Sequence, residues 1–173
     1  RKPNGDGGWE YKLGDTQRIL YRLPELLHAD TDATIYFVEG EKDADRLAAE
    51  GRVATTTPQG AGKAHRVDLH PLHGRHIVIM PDQDPQGLKH AHAVAESLHG
   101  KAASVKVVEL PDLPEKGDVS DWLDNGGTVE ELDRLAAEAE PWKPEDVPDI
   151  PEAEAYEPKQ SKQTRSLIMR NAS

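Results

Sequence analysis

Four acidic residues of this sequence could do chemistry because each follows a short apolar stretch, where a buried strand is expected to end. These acids are Glu39 after residues 34–38, Asp82 and Asp84 after residues 76–80, and Asp118 beyond residues 104–108. In an open parallel sheet, ligands bind beyond the carboxyl ends of the strands, so we expect all four side chains along one end of the sheet. Carboxylate oxygens are ligands that suit Mg²⁺ or Mn²⁺. The pattern therefore predicts a divalent-cation site built from separate segments.

The elements that must position these acids alternate between strands and helices. Residues 34–38, 76–80 and 104–108 are short apolar runs rich in β-branched side chains, which is typical of buried strands. Helices are predicted over residues 41–50 and from Pro85 to a stop at Gly100, with two closing helices at 119–123 and 128–139. Such alternation implies right-handed crossovers. We therefore expect an α/β fold with about four mainly parallel strands flanked by helices.

Composition suggests three parts in the 173 residues. Residues 1–32 are expected to be a connector and docking segment, and residues 33–142 the compact domain. Residues 143–173 are expected to form an acidic, proline-rich linker toward a further domain. No run of 18 apolar residues and no signal-peptide pattern occurs, so we expect a cytoplasmic protein with no membrane partner.

The charge and the lack of cysteine narrow the function classes. The sequence has no cysteine, which excludes disulfides and Cys-based zinc ribbons within it. A formal net charge of -11 argues against a generic basic nucleic-acid footprint, since phosphate binding needs clustered Lys and Arg. The same acidity suits a site that holds divalent cations, which could then meet substrate phosphates.

The acidic motifs carry a family resemblance. Glu39-Gly40-x-x-Asp43 after one strand, with Asp82-x-Asp84 after another, resembles the TOPRIM domain that primases, topoisomerases and related nucleases share. The resemblance spans about residues 33–142. It implies a Rossmann-like TOPRIM fold in which Glu39, Asp82 and Asp84 are the catalytic and metal-binding residues.

Two wider strings resemble one branch of that family. Residues 38–44 (VEGEKDA) and 116–123 (KGDVSDWL) are similar to the TOPRIM branch of phage and plasmid primases, which is often fused to a RecA-like helicase. This similarity implies a helicase domain downstream of the linker. Primases of the family commonly have a Lys-Asp pair at the last acidic position, whereas Gly117 separates Lys116 from Asp118 here. The match that makes Asp118 a metal ligand is therefore incomplete.

The activity that the resemblance implies is metal-dependent nucleotidyl transfer, in which nucleoside triphosphates are joined into an RNA primer on a single-stranded DNA template. Asp82 and Asp84 would hold Mg²⁺ or Mn²⁺ against the triphosphate. Glu39 would act either as the general base for the attacking 3'-hydroxyl or as a further metal ligand. The sequence leaves both roles open.

Two lysines are candidates for phosphate or nucleotide contacts. Lys42 follows the first acid, and Lys63 ends the glycine-rich loop at residues 55–63. This loop departs from the Walker pattern, because Thr57 stands where that pattern needs Gly and Ala64 where it needs Ser or Thr. Similar loops with a lysine occur in the TOPRIM branch, which supports a phosphate contact for Lys63.

Several of these residues also have a purely structural interpretation. Asp84 precedes Pro85 in a helix-capping arrangement, and Asp43 lies in a first helical turn, where acids complement the helix dipole. A histidine metal site at His70, His73 and His76 is disfavoured, because Pro71 and Gly74 interrupt any helix that could align the three. Trp122 and Trp142 are predicted to pack in the core or in a lid rather than to stack on bases.

Two other function classes stay open at this point. The same acids could serve nuclease or topoisomerase-type phosphodiester chemistry, which would need a catalytic tyrosine or an adjoining nuclease domain. A non-catalytic TOPRIM module that acts as a scaffold for partner proteins would show no dependence on magnesium.

Overall fold

The fold is known from a computed structural model, which describes residues 18–58 and 67–147 and, outside them, the backbone of a short hairpin. The hairpin pairs β1 (Lys2–Pro3) with β2 (Trp9–Glu10) in antiparallel fashion. The remaining strands form one sheet. They are β3 (Thr34–Phe37), β4 (Val53–Thr55), β5 (His76–Ile79) and β6 (Ser104–Val107).

The four-stranded sheet is parallel throughout, in the order β4-β3-β5-β6. Its central strands lie in direct register, with Thr34 opposite His76 and Phe37 opposite Ile79. Because both strands end at the same level, the residues that follow them emerge side by side. This register sets the distance between the segments that carry Glu39 and Asp82.

In the part of the chain that the structure describes, five helices surround the sheet. They are α1 (Leu23–His28), α2 (Glu41–Ala49), α3 (Pro85–Leu98), α4 (Val119–Asp124) and α5 (Val129–Glu138). Short 3₁₀ turns lie at His70–Leu72 and Pro144–Asp146. No helix of the described residues is long and apolar enough to cross a bilayer.

Alternate residues along the strands build two apolar layers. On one face, Ile35 and Ile77 pack with side chains of α1 and α3, and with Leu20 and Trp142. On the other face, Tyr36 and Val78 pack with side chains of α2, α4 and α5. Covering a parallel sheet on both faces explains why its strands are almost wholly apolar.

Segments outside the predicted compact domain also contact the sheet. Leu20 and Leu26 are buried in the core, although they precede residue 33. Beside β4, the backbone N–H of Tyr21 donates to the Thr56 carbonyl at 2.9 Å. Beside β6, the backbone N–H of Trp142 donates to the Val105 carbonyl at 2.8 Å.

The sequence-based expectation of an α/β fold with about four mainly parallel strands is confirmed. Strands were predicted at the positions of β3, β5 and β6, whereas β4 is only three residues long and was not located. Trp122 and Trp142 are both buried in the core, as predicted. The domain boundaries stay predictions, and most of the predicted linker, from residue 148 onward, lies outside the described residues.

Candidate active site

Five acidic side chains gather at the carboxyl end of the sheet, and we call them the carboxyl-end cluster. They are Glu39, Asp43, Asp82, Asp84 and Asp118. Each lies close enough to another member for its charge to change that member's pKa. The structure thus brings the four acids predicted from the sequence to one region and adds Asp43 to them.

Glu39 lies where β3 has ended and α2 has not yet begun. The hydroxyl of Thr56 donates to the Glu39 carbonyl at 2.8 Å and fixes the backbone there. The side chain is half-buried, and its buried Oε2 atom has no hydrogen-bond partner among residues 18–58 and 67–147. Burial raises the pKa of Glu39, and the nearby charges of Asp84 and Asp43 raise it further. A buried acceptor left without a donor is costly, unless a ligand of the site supplies the missing interaction.

Asp82 has the most perturbed carboxyl of the cluster. Burial and four neighbouring acids together raise its pKa to about 7; burial is the largest cause, and Glu39 is the largest of the charge effects. Asp43, Asp118 and Asp84 act in the same direction. Carboxylates that repel each other at a partly buried site hold a proton near neutral pH, and a divalent cation would compete with that proton.

Gly87 allows the close approach that positions Asp82. A Cβ atom at Gly87 would lie 2.7 Å from the Asp82 carbonyl oxygen and 3.0 Å from its backbone nitrogen. The first turn of α3 therefore packs directly on the Asp82 backbone. Gly87 was not predicted as a site residue, although glycine in the first turn of a predicted helix is a signal of close packing.

Asp84 is the N-cap of α3. Its Oδ1 atom accepts a hydrogen bond from the Gly87 backbone at 2.7 Å, which is the structural role considered from the sequence. Its other oxygen, Oδ2, accepts no hydrogen bond from the described residues. The cap therefore fixes the orientation of the carboxylate and leaves one oxygen for a cation.

The loop before α4 brings Asp118 to the cluster. Two backbone hydrogen bonds of 2.9 Å join Gln83 to this loop, one to the Gly117 carbonyl and one from the Lys116 N–H. Gly117 packs tightly here, since a Cβ atom would lie 2.9 Å from the Leu113 side chain. The extra glycine relative to the family pattern thus belongs to the loop that places Asp118 near Asp82.

Asp118 has local partners of its own. It is the N-cap of α4 and forms a capping box with Asp121. Its Oδ2 atom pairs with the exposed Nζ of Lys42 at 3.2 Å. Lys42, predicted as a phosphate contact, thus lies beside the acids, with 68% of its side chain exposed.

Asp43 connects α2 with α4. The Ser120 hydroxyl donates to Asp43 Oδ1 at 2.5 Å, and both residues are buried. Burial raises the pKa of Asp43, and the hydrogen bond from Ser120 opposes this effect. Asp43 also folds back over Gly40, where a Cβ atom would meet its Oδ2 at 2.8 Å. Ser120 was not predicted as a site residue, because no residue near it in the sequence signals a partner on α2.

The residues of the cluster fit a divalent cation in their chemistry. They offer hard oxygen donors, an orphaned buried oxygen on Glu39 and a carboxyl on Asp82 that repels its neighbours. Over residues 18–58 and 67–147, no three His, Asp or Glu side chains form a ready-made metal-binding group. Mg²⁺ does not require such a group, because it keeps several waters and binds through one or two carboxylates together with substrate phosphates.

Other residues considered from the sequence lie apart from the cluster. Lys63 falls within residues 59–66, outside the described part of the chain. The rings of His70 and His73 lie 4.8 Å apart. The ring of His76 contacts Ser104 instead, at the amino end of the sheet and away from the carboxyl-end cluster. The three histidines therefore do not converge.

Comparisons with known proteins support the fold. No family model and no curated protein matches the sequence. Among solved structures, the E. coli primase catalytic core matches at 20% identity with a TM-score of 0.50, covering 70% of this chain and 39% of that chain. The DnaG catalytic core matches at 19% identity with a TM-score of 0.51, covering 70% of this chain and 40% of that chain. The chain spans about two fifths of these structures and shares their fold over that part.

Proposed function

We propose that this chain is the metal-dependent TOPRIM module of a DNA primase of the phage or plasmid kind, joining nucleoside triphosphates into an RNA primer on single-stranded DNA. The observation that carries the proposal is the carboxyl-end cluster, in which Glu39 has an unpartnered buried oxygen and Asp82 a strongly raised pKa. Buried polar atoms without partners are few in folded proteins, and carboxyls with strongly shifted pKa values cluster at functional sites. The fold shared with primase catalytic cores supports the same function.

Asp82 and Asp84 would hold Mg²⁺ or Mn²⁺, with Asp118 as a further ligand and Glu39 in contact with the cation through water. When bound, the cation supplies charge neutralisation and polarisation of the phosphoryl group. The protein contributes orientation: Thr56 fixes the Glu39 backbone, and the cap to Gly87 fixes the Asp84 carboxylate. Preorganised carboxylates need no rearrangement when substrate arrives.

Glu39 has two possible roles, and its surroundings favour one. Its pKa is raised by burial and by neighbouring acids, which suits a proton acceptor for the 3'-hydroxyl better than an isolated surface glutamate would. A cation bound at Asp82 would lower that pKa again. We therefore assign Glu39 to proton transfer and to water-mediated contact with the cation.

Lys42 is assigned to the phosphates. Its ammonium group is exposed and is held beside the cluster by Asp118. A triphosphate that enters with its cation could take this lysine from Asp118, because phosphate is the stronger partner for a compact ammonium charge. Lys63 in the glycine-rich loop is proposed for the same purpose.

The partners follow from this assignment. The acidic chain, with a net charge of -11, needs help from cations or from other segments to hold the DNA template. We propose that a RecA-like helicase domain beyond the linker supplies part of that binding in the cytoplasm.

The test is primer synthesis from ribonucleoside triphosphates on a single-stranded template, with Mg²⁺ and with chelator. Asp82→Asn and Glu39→Gln should each lower synthesis about a hundredfold or more, since each removes several kcal/mol of transition-state stabilisation. Asp112→Asn and Glu96→Gln are matched controls on exposed residues and should retain activity.

Magnesium binding is measured separately as a rise in melting temperature. The unaltered chain should gain stability with Mg²⁺, and Asp82→Asn should lose that gain. Unchanged synthesis in both variants would overturn the catalytic roles. Absence of a magnesium effect on both synthesis and melting would overturn the metal-dependent function.

A further inference from the structure

A cavity of about 420 Å³ opens at the amino end of the sheet, opposite the carboxyl-end cluster. The first residue of every strand of the sheet lines it: Thr34, Val53, His76 and Ser104. The deepest lining residues on the two central strands are Tyr36 and Val78, which precede Glu39 and Asp82 by three and four residues, about 10 Å of extended chain or more. Its volume lies in the range of small-molecule sites. The proposed function makes no use of it.

Polar side chains on the cavity wall are held in place by their own partners. The guanidinium of Arg52 donates to Asp133 Oδ1 at 3.1 Å and to Asp133 Oδ2 at 2.7 Å, and it donates to the Glu50 carbonyl at 3.1 Å. The hydroxyl of Tyr36 donates to Asp133 at 2.5 Å. Because these hydrogen bonds hold the side chains against the cavity wall, the side chains do not fold inward to fill the cavity.

Lys106 is fixed on another side of the same cavity. Its Nζ donates to the carbonyls of Ala136 and Ala137 at 2.8 and 2.9 Å, near the C-terminal end of α5. A cation at this helix end is stabilised by the helix dipole. A further polar group of the wall, His76, lies 2.8 Å from the Ser104 hydroxyl through its Nδ1 atom.

The balance of donors and acceptors indicates the ligand. The carboxylate of Asp133 already accepts hydrogen bonds on both oxygens from Arg52 and Tyr36, so its acceptor capacity is used. Arg52 has one N–H left on each terminal nitrogen, and Lys106 has one ammonium proton left. The charged groups of the cavity wall thus offer spare donors on Arg52 and Lys106, whereas the one carboxylate among them, Asp133, has its oxygens occupied.

We propose that the amino-end cavity binds a small oxyanion-bearing ligand, a phosphate or a carboxylate, between Arg52 and Lys106. The anion takes the remaining donors of both cations, in the charge-assisted hydrogen bonds that proteins use for such groups. The body of the ligand lies on the apolar wall formed by Val78, Ala136 and Ala137. This site is independent of the catalytic cation.

The experiment is calorimetric titration of the full chain in chelator with three probes: inorganic phosphate, adenosine monophosphate and succinate. Phosphate and succinate distinguish the two oxyanions, and the nucleotide tests whether a larger body adds affinity. Chelator removes cation-dependent binding at the other end of the sheet. Asp82→Asn should bind as tightly as the unaltered chain, which separates this site from the proposed active site.

Two variants locate the site. Lys106→Met keeps an unbranched apolar side chain and should weaken binding about tenfold or more, the cost of one charge-assisted hydrogen bond. Ala137→Phe, at an exposed helix position, should abolish binding by filling the cavity. Lys89→Met and Ala93→Phe on α3 are the matched controls and should bind normally.

Binding of at least one probe at millimolar concentration, lost in Ala137→Phe and weakened in Lys106→Met, is the expected result. Failure of all three probes to bind the unaltered chain would overturn the proposal. Equal binding by both variants and the unaltered chain would place the ligand elsewhere and overturn it as well.

Discussion

Each end of the sheet has a partly buried aspartate, and the surroundings shift the pKa values of the two in opposite directions. At the amino end, burial acts to raise the pKa of Asp133, but hydrogen bonds from Arg52 and Tyr36 outweigh it and lower the pKa. At the carboxyl end, burial and four neighbouring acids all raise the pKa of Asp82. No positive side chain of the described residues pairs with Asp82. An acid whose partners come from the fold stabilises that fold, whereas an acid without them is free to bind a ligand.

Among substitutions that test this difference between the two ends, Gly87→Ala should change the free energy of unfolding most. In most helices this change is stabilising, because alanine has the higher helix propensity. Here the new methyl group would lie 2.7 Å from the Asp82 carbonyl oxygen, so we expect a loss of about 2 kcal/mol in the free energy of unfolding. Magnesium-dependent synthesis should fall too, since Asp82 must move. Urea unfolding measures the first effect, with Gln86→Ala as control; equal or higher stability would contradict the packing.

Asp133→Asn should have the next largest effect. Asparagine keeps the shape of the side chain but loses the negative charge to which Arg52 and Tyr36 donate hydrogen bonds. Since 43% of the Asp133 side chain is exposed, solvent screening limits the expected loss to about 1 kcal/mol. A double-mutant cycle with Arg52→Gln by thermal unfolding should show coupling between the two sites. Additive losses would mean that the pair contributes nothing beyond its separate contacts.

The same change from aspartate to asparagine at the carboxyl end of the sheet should raise the free energy of unfolding instead of lowering it. Asp82→Asn removes a carboxylate that its neighbours repel, so in chelator at pH 8 we expect a gain of about 1 kcal/mol in unfolding free energy. The gain should vanish when Mg²⁺ is added, because only the unaltered chain then binds the cation at full strength. Destabilisation in chelator would show that Asp82 has a structural partner.

The pH dependence of stability should show a smaller difference between the two ends of the sheet. The pKa of Asp82 is raised from an unfolded value near 3.8 to about 7, so the folded state binds more protons between these values. In chelator, stability should therefore decline as the pH rises from about 4 to 7 and level off above that. Asp82→Asn should flatten this decline. For Asp133, whose pKa is lowered, stability is instead lost as the pH falls through the acidic range.

The sequence predicted more of the carboxyl end than of the amino end, and the reason is physical. Glu39, Asp82 and Asp84 follow strands directly, so strand periodicity and parallel topology suffice to predict that they approach one another. Tyr36 and Asp133 are 97 positions apart and meet only because α5 packs over β3. No local pattern in either segment signals such a contact.

The residues that position the acids of the carboxyl-end cluster were harder to predict than the acids themselves, for a similar reason. Gly117 and Ser120 act through loop closure and helix packing, which depend on where α4 docks. Strand β4 was not located, because Val53–Thr55 is too short to show periodicity. The roles of Glu39, Asp82, Asp84 and Asp118 stay predictions until the magnesium and synthesis experiments are done.

The contacts of Tyr21 and Trp142 have a practical consequence for anyone shortening this chain. These two residues occupy backbone groups along the outer sides of β4 and β6, which would otherwise be open to pairing with another molecule. A truncated version beginning at residue 33 would lose this protection on one side, together with the buried Leu20 and Leu26. Such a version should self-associate, and a useful expression boundary lies before residue 18 and after residue 142.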